Sequence, residues 1–190
     1  MERYTELEAL HQAVWAAIAG GASEAQHPYR TPTLGTLGPQ GPHLRTIVLR
    51  EVALAERVLW FHADRRSQKV RDLQTQPQVA WHFWDPESRL QLRLQGEATL
   101  HWDDAWAEWL WQRSPARSLQ VYCKPTPPGT TLETPQSGLV PGDVSDGRSH
   151  FAAIRTRASA LDVLHLHPQQ HYRAWFRYSQ AGTDSRWIVP

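Results

Sequence analysis

The chain has one cysteine and one methionine in 190 residues. Cys123 alone cannot close an intramolecular disulfide or supply a cysteine zinc cluster. No stretch approaches the roughly 20 apolar residues that a spanning helix needs, so no membrane segment is expected. The first residues, Met1-Glu-Arg-Tyr-Thr-Glu6, lack the apolar run of a secretory signal, and a cytoplasmic location is the expectation. A strong charge of either sign is also missing. The formal net charge is +1, which gives no global field for nucleic acid.

What is present in excess is tryptophan, with ten in the chain. Trp buries much area at low rotamer cost, so most of these side chains are expected in a core or an interface. The length suits one domain with a proper core, expected to span residues 1–190. Residues 3–19 carry Leu7, Leu10, His11, Val14, Trp15 and Ile18 on one helical face, with Gly20-Gly21 expected to end the helix. Strand patterns follow at 31–37, at 44–52 as one alternating run, and at 57–63. Ser67 is expected to cap a short helix with its hydroxyl. Strands at 79–84 and 90–101 come next, then a helix at 103–113 bearing Trp102, Trp106, Trp109, Leu110 and Arg113. Residues 123–149 are rich in Pro, Gly, Thr and Ser and read as a long loop. Strand patterns at 150–166, 172–178 and 186–189 complete the chain. Antiparallel strands with short turns favour a barrel over an open sheet. The expected class is α+β, mainly β with flanking helices.

Three segments concentrate functional side chains. They are Arg45-Thr-Ile-Val-Leu-Arg50, Phe61-His-Ala-Asp-Arg-Arg-Ser67-Gln-Lys69, and Gln91-Leu-Arg-Leu-Gln-Gly96-Glu-Ala98. Guanidinium forks, an ammonium and a helix start together suit a phosphate. A lysine in the first turn of a helix faces an adverse dipole, which an anion bound there would relieve. No Ser/His/Asp or Cys/His set is recognisable, so no catalytic residue is assigned. His165, His167 and His171 have no Cys or acidic neighbour, and no metal site is expected.

In their order and spacing these three segments resemble the pyridoxamine 5'-phosphate oxidase family, FMN-binding proteins with an antiparallel split β-barrel. The ending Arg186-Trp-Ile-Val-Pro190 is similar to the family's C-terminal signature. The resemblance implies FMN as cofactor and a homodimer with FMN at its interface. It implies that Arg45 and Lys69 contact the phosphate, with Thr46, Ile47, Val48, Ser67 and Gln68 beside them. His62 and Ala63 would line the flavin through backbone groups, and Gln91 would reach the ring or ribityl chain. Gln136 and Ser137 correspond to a Gln-Ser pair that binds FMN across the interface. Arg50, Trp109, Arg113, Ser118 and Arg173 fall near the substrate positions. Trp109 stands where the oxidases have Tyr, Gln68 where they have Arg, and His171-Tyr172-Arg173 where they have an Arg-x-His motif. These departures turn the resemblance toward oxidase-related proteins of other substrates. The implied activity is hydride transfer to FMN from pyridoxamine 5'-phosphate or a related small amine or redox substrate. The alternatives are a flavin carrier or sensor without turnover, and a deazaflavin or heme in place of FMN. Single-stranded nucleic-acid binding by a Trp- and Arg-bearing barrel is a third class, disfavoured by the near-zero net charge.

Overall fold

The computed structural model describes residues 4–135 and 143–190. Its order is α1 (Leu7–Ser23), a 3-10 turn (Pro28–Arg30), β1 (Thr33–Gly38), β2 (Gly41–Thr46), β3 (Leu49–Ala53), β4 (Val58–Asp64), α2 (Gln68–Thr75), β5 (Gln78–Asp85), β6 (Leu90–His101), α3 (Ala105–Arg113), α4 (Ala116–Leu119), a 3-10 turn (Gln120–Tyr122), a 3-10 helix (Val144–His150) where the end of the long loop was expected, β7 (Phe151–His165), β8 (Tyr172–Ser179) and β9 (Gly182–Ile188). All the strand pairs are antiparallel, and the main path runs β2-β1-β5-β6-β7-β4-β3. The first half of β7 pairs with β4 and its second half with β8, which carries β9. Among the described residues no helix is long and apolar enough to cross a membrane.

The two ends of that path, β2 and β3, are joined by Ile47 and Val48 alone. Three Cα steps span at most about 11 Å, so the sheet must curl until its edges nearly meet. The edges are not hydrogen-bonded to each other, and the barrel stays split along this seam. Here the structure corrects the expectation of one strand over 44–52. Ile47 is buried, and its N–H bonds Pro32 O at 3.0 Å, so the chain steps from one edge to the other without losing its alternation.

The barrel interior is filled by Leu34, Phe61, Trp81, Phe83, Leu92, Leu161 and Phe176. Helix α1 closes one side with Leu10, Val14 and Ile18, and Trp15 donates to the Tyr178 hydroxyl at 2.9 Å. The helix passes through Gly20-Gly21 to Ser23 rather than ending there. A Cβ on Gly21 would sit 2.7 Å from the Tyr29 carbonyl oxygen, so this glycine permits close packing on the 3-10 turn. A second cluster lies outside the barrel, where Val58 and Trp60 of β4 meet Leu110, Leu119, Tyr122 and Phe151. Of the tryptophans expected in a core or an interface, Trp106 and Trp109 of α3 are 51% and 39% exposed in the single chain.

Gly96 sits at a register shift in β6. A Cβ there would lie 2.4 Å from the Arg157 carbonyl oxygen, a backbone atom that cannot swing aside. Gly96→Ala is therefore expected to lower stability by about 1–3 kcal/mol, the range for overpacking a tight site. Equilibrium urea unfolding checks this, and an unchanged midpoint would contradict the packing described.

Candidate functional site

The site is built where β4 ends and α2 begins. Along β4, Phe61 and Ala63 turn into the barrel while Trp60 faces the second cluster, and His62 follows the latter side, meeting Phe151 edge-on at 4.9 Å. The chain then turns tightly. The Asp64 carboxylate accepts from Arg66 at its backbone N–H (2.8 Å), Nε (3.0 Å) and Nη2 (2.7 Å), and Ser67 N–H bonds Asp64 O at 2.9 Å. Arg66 also donates to the carbonyls of Lys124 (2.8 Å) and Pro125 (3.0 Å), pinning the start of the long loop to this turn. A cavity of about 480 Å³ results, walled by His62, Ala63, Asp64, Lys69, Tyr122 and Lys124 and covered by loop residues 126–130.

Arg45 and Lys69 are brought together. Burial lowers the Lys69 ammonium pKa, the nearby Arg45 charge lowers it further, and Asp64 opposes both. Lys69 makes no ion pair among the described residues; its Nζ lies 3.4 Å from the Ser67 hydroxyl. Ser67 holds the N-cap position of α2, but its side chain makes no capping bond, contrary to the expectation. The Ser67 carbonyl accepts from the Val70 and Arg71 N–H groups at 3.1 and 3.3 Å, so helix geometry leaves the Gln68 and Lys69 N–H groups without intrahelical partners.

Arg45 is not a free cation. It donates to Thr36 Oγ1 at 2.6 Å and to Leu34 O at 3.4 Å, and it lies 3.6 Å from Asp72. Asp72 is fully buried on α2 and accepts from Thr36 (2.7 Å) and Gln68 (2.9 Å), with His43 Nδ1 at 2.9 Å. Burial pushes its carboxyl up, but these hydrogen bonds outweigh burial and hold it at about 2. Gln68 is thereby engaged with Asp72, and Arg71 donates to its amide oxygen at 2.8 Å.

A second polar group lies beside His62 and Tyr122, two of the residues that wall the cavity. Arg50 Nη1 reaches Ser118 Oγ at 3.4 Å, while its Nε is buried without a partner. No carboxylate pairs with it among the described residues. Ser114 donates its one proton to Leu110 O at 2.6 Å, so it accepts from His62 Nε2 at 3.3 Å. The proton of neutral His62 therefore sits on Nε2, and Nδ1 is buried without a partner. Burial first, and the Arg50 charge second, push His62 down to about 3, so it is neutral at pH 7.

The other expected residues are scattered. Thr46 is exposed, Ile47 lies in the core, and Val48 is half-buried at the seam. Gln91 faces away from the barrel interior on β6, with its amide oxygen 3.3 Å from His82 Nε2. It shares a cross-strand row with Leu164 and Arg173. Arg173 is held by Asp162 through two bonds of 3.0 and 2.7 Å. Arg113 lies 3.3 Å from Glu51 and stacks 4.9 Å over the Trp109 ring. Gln136 and Ser137 lie outside the described residues. Sequence reading missed Asp72, Arg66, Tyr122 and Lys124. The available hint for Asp72 was its place three residues after Lys69 and four after Gln68, on one face of a helix.

Asp72 fastens α2 to β1 and β2, and Asp72→Asn is expected to cost about 2 kcal/mol at pH 7, since buried donors lose their charged acceptor. Its depressed pKa gives stability that is full above the ordinary 3.8 and lost as pH falls toward about 2. The variant should therefore lose less stability over that window than the parent. Urea midpoints measured from neutral pH down to about pH 2 check both points; parallel pH profiles would contradict the assignment.

Residues 11–102 match the family model described as pyridoxamine 5'-phosphate oxidase, FMN-binding domain. Among solved structures, a pyridoxamine 5'-phosphate oxidase-related, FMN binding protein from Nostoc punctiforme superposes with a TM-score of 0.78 at 22% identity, covering 100% of both chains. PhzG from Burkholderia lata 383, in complex with tetrahydrophenazine-1-carboxylic acid, gives 0.71 at 14% identity, covering 97% of this chain and 93% of its own. General Stress Protein 26 from Bacillus anthracis gives 0.51 at 17% identity, over 79% and 92%. At these identities the likeness is one of fold. No curated protein sequence matches the chain. Residues 11–102 are thus similar to the pyridoxamine 5'-phosphate oxidase FMN-binding domain, and the described residues share the split-barrel fold of these structural neighbours.

Proposed function

We propose that the protein binds FMN in the Lys69 cavity and works as an oxidoreductase on a small anionic amine such as pyridoxamine 5'-phosphate or a related redox substrate. The observation that carries this reading is Lys69 itself. Its ammonium is partly buried against another cation, with no ion pair among the described residues. Asp72 already offsets Arg45, but a desolvated Lys69 beside that arginine has no close anion of its own, and an added anion relieves it. The phosphate of FMN supplies that anion, with Lys69, Arg45 and the first N–H groups of α2 as its donors. When bound, FMN supplies the hydride acceptor; the chain binds, orients and shields from water. The backbone of His62 and Ala63 forms the wall on the flavin side.

Arg50 supports the substrate side. A buried guanidinium cannot shed its proton, so an anionic substrate group beside Arg50 and Ser118 satisfies what the chain leaves open. A C2 homodimer with the flavin at its interface is part of the proposal. Arg45 pairs across strands with the inward Leu34, whereas Gln91 and Arg173 lie in a row on the opposite face of the sheet. A second copy is what brings that row to the flavin. A non-catalytic flavin carrier is the second reading. It draws on Arg113 and Arg173, two expected substrate residues already tied to Glu51 and Asp162.

The purified protein is expected to be yellow and to release FMN on denaturation. Lys69→Ala should weaken FMN binding about tenfold or more, the scale of one charge-assisted contact, as followed by flavin fluorescence quenching. Full FMN retention in Lys69→Ala would sink the phosphate assignment. Arg50→Ala should keep its FMN but show a KM for pyridoxamine 5'-phosphate raised about tenfold or more, read from peroxide release. FMN-loaded parent protein releasing no peroxide would leave the carrier reading in place of the oxidase.

A further inference from the structure

A second concentration of positive charge lies on the outer side of the barrel, where β4, β6 and β7 run together. Arg57, Arg155 and Arg157 line an open groove of about 610 Å³ there, together with Glu97, Thr99 and Tyr178. That volume is in the range of small-molecule sites. The register places Arg155 between Trp60 and Thr99, and Arg157 between Val58 and Glu97. Their neighbour Thr156 is fully buried, so the two arginines stand on the outer face of β7. None of the three guanidinium groups makes an ion pair among the described residues, although Glu56 and Glu97 also line the groove. Arg57 is fixed in place. Its guanidinium lies 4.4 Å over the Tyr178 ring and donates to Thr183 Oγ1 at 3.0 Å. The Tyr178 hydroxyl is in turn held by Trp15 at 2.9 Å and meets His11 at 3.0 Å. Arg57 also has φ of 54°, a backbone conformation that disfavours a long side chain.

We propose that this groove binds a diphosphate group, as inorganic pyrophosphate or as the tail of a nucleoside diphosphate, at a place separate from the Lys69 cavity. Arginine forks match phosphoryl oxygens in pairs. Residues two apart on a strand have Cα atoms about 7 Å apart, so Arg155 and Arg157 can each take one end of an anion with two phosphoryl groups. Arg57, held by Tyr178, adds a third donor from the side. Thr99 offers a hydroxyl donor beside Arg155. Glu56 and Glu97 oppose the anion and set a limit on its affinity. Because the groove is open, binding weakens as salt rises.

Isothermal titration of the full chain, as purified, with sodium pyrophosphate and separately with ADP tests this. One saturable site per chain is expected. Tighter binding of ADP assigns the groove to a nucleotide, and tighter binding of pyrophosphate assigns it to the inorganic ion. Arg155→Gln with Arg157→Gln should weaken binding about tenfold or more, and Glu97→Gln should tighten it several-fold. Lys69→Ala should leave it unchanged. Absence of saturable binding, binding indifferent to the arginine pair, or binding lost with Lys69→Ala would each overturn the proposal. If the double arginine variant does not fold, Glu97→Gln decides alone, because unchanged or weaker binding contradicts a groove in which Glu97 repels the ligand.

Discussion

The buried Asp72 carboxylate gathers three hydrogen-bond partners and one guanidinium from separate parts of the chain, and the candidate cofactor site depends on that gathering. Thr36 comes from β1, His43 and Arg45 from β2, and Gln68 from the first turn of α2. An ion this deep is unfavourable unless its lone pairs are filled, and here they are. The consequence reaches beyond stability. Fixing α2 against β1 and β2 fixes Lys69, three residues before Asp72, beside Arg45. Lys69 is thus held near Arg45, which Asp72 partly balances, while Lys69 itself makes no ion pair among the described residues. Of the two, Lys69 lines the cavity, which is the arrangement the proposed phosphate site rests on.

The seam gives the same site its position in the fold. Because Ile47 and Val48 alone join the two edge strands, Arg45 and Arg50 lie on either side of the split. Arg45 turns toward α2, and Arg50 turns toward Ser118 and the second cluster. One short stretch of chain thereby carries both the arginine proposed for the cofactor phosphate and the arginine proposed for the substrate. The Asp64–Arg66 pair adds a covering wall, since Arg66 holds the first residues of the long loop through their carbonyls.

Much of this was legible in the sequence, and the exceptions have physical causes. The alternation of Leu90, Leu92 and Leu94 gave β6 its face, and Leu10, Val14 and Ile18 gave α1 its buried stripe. The cation pair of Arg45 and Lys69 followed from the motif order. The seam was hidden because its two strands keep one alternation across the break, so periodicity runs through it. Gly20-Gly21 read as a helix end because glycine usually serves that purpose, whereas Gly21 answers to a close approach by Tyr29 from later in the chain. The Ser67 hydroxyl looked like a cap, yet Asp64 organises the turn instead. Size alone placed Trp106 and Trp109 in a core or an interface without choosing between them; α3 buries Ala107 and Leu110 in the single chain and leaves those rings partly exposed. Asp72 was passed over because a lone acid on a short polar helix reads as a solvated surface group. Only the folded chain shows what surrounds it.

The central claim is that the Lys69 cavity holds FMN and that two chains share the task. Native mass spectrometry of the undenatured protein tests both parts at once. The account predicts a dimer carrying two FMN masses. A species without bound flavin, or a flavin-free monomer at the bare chain mass, would contradict it.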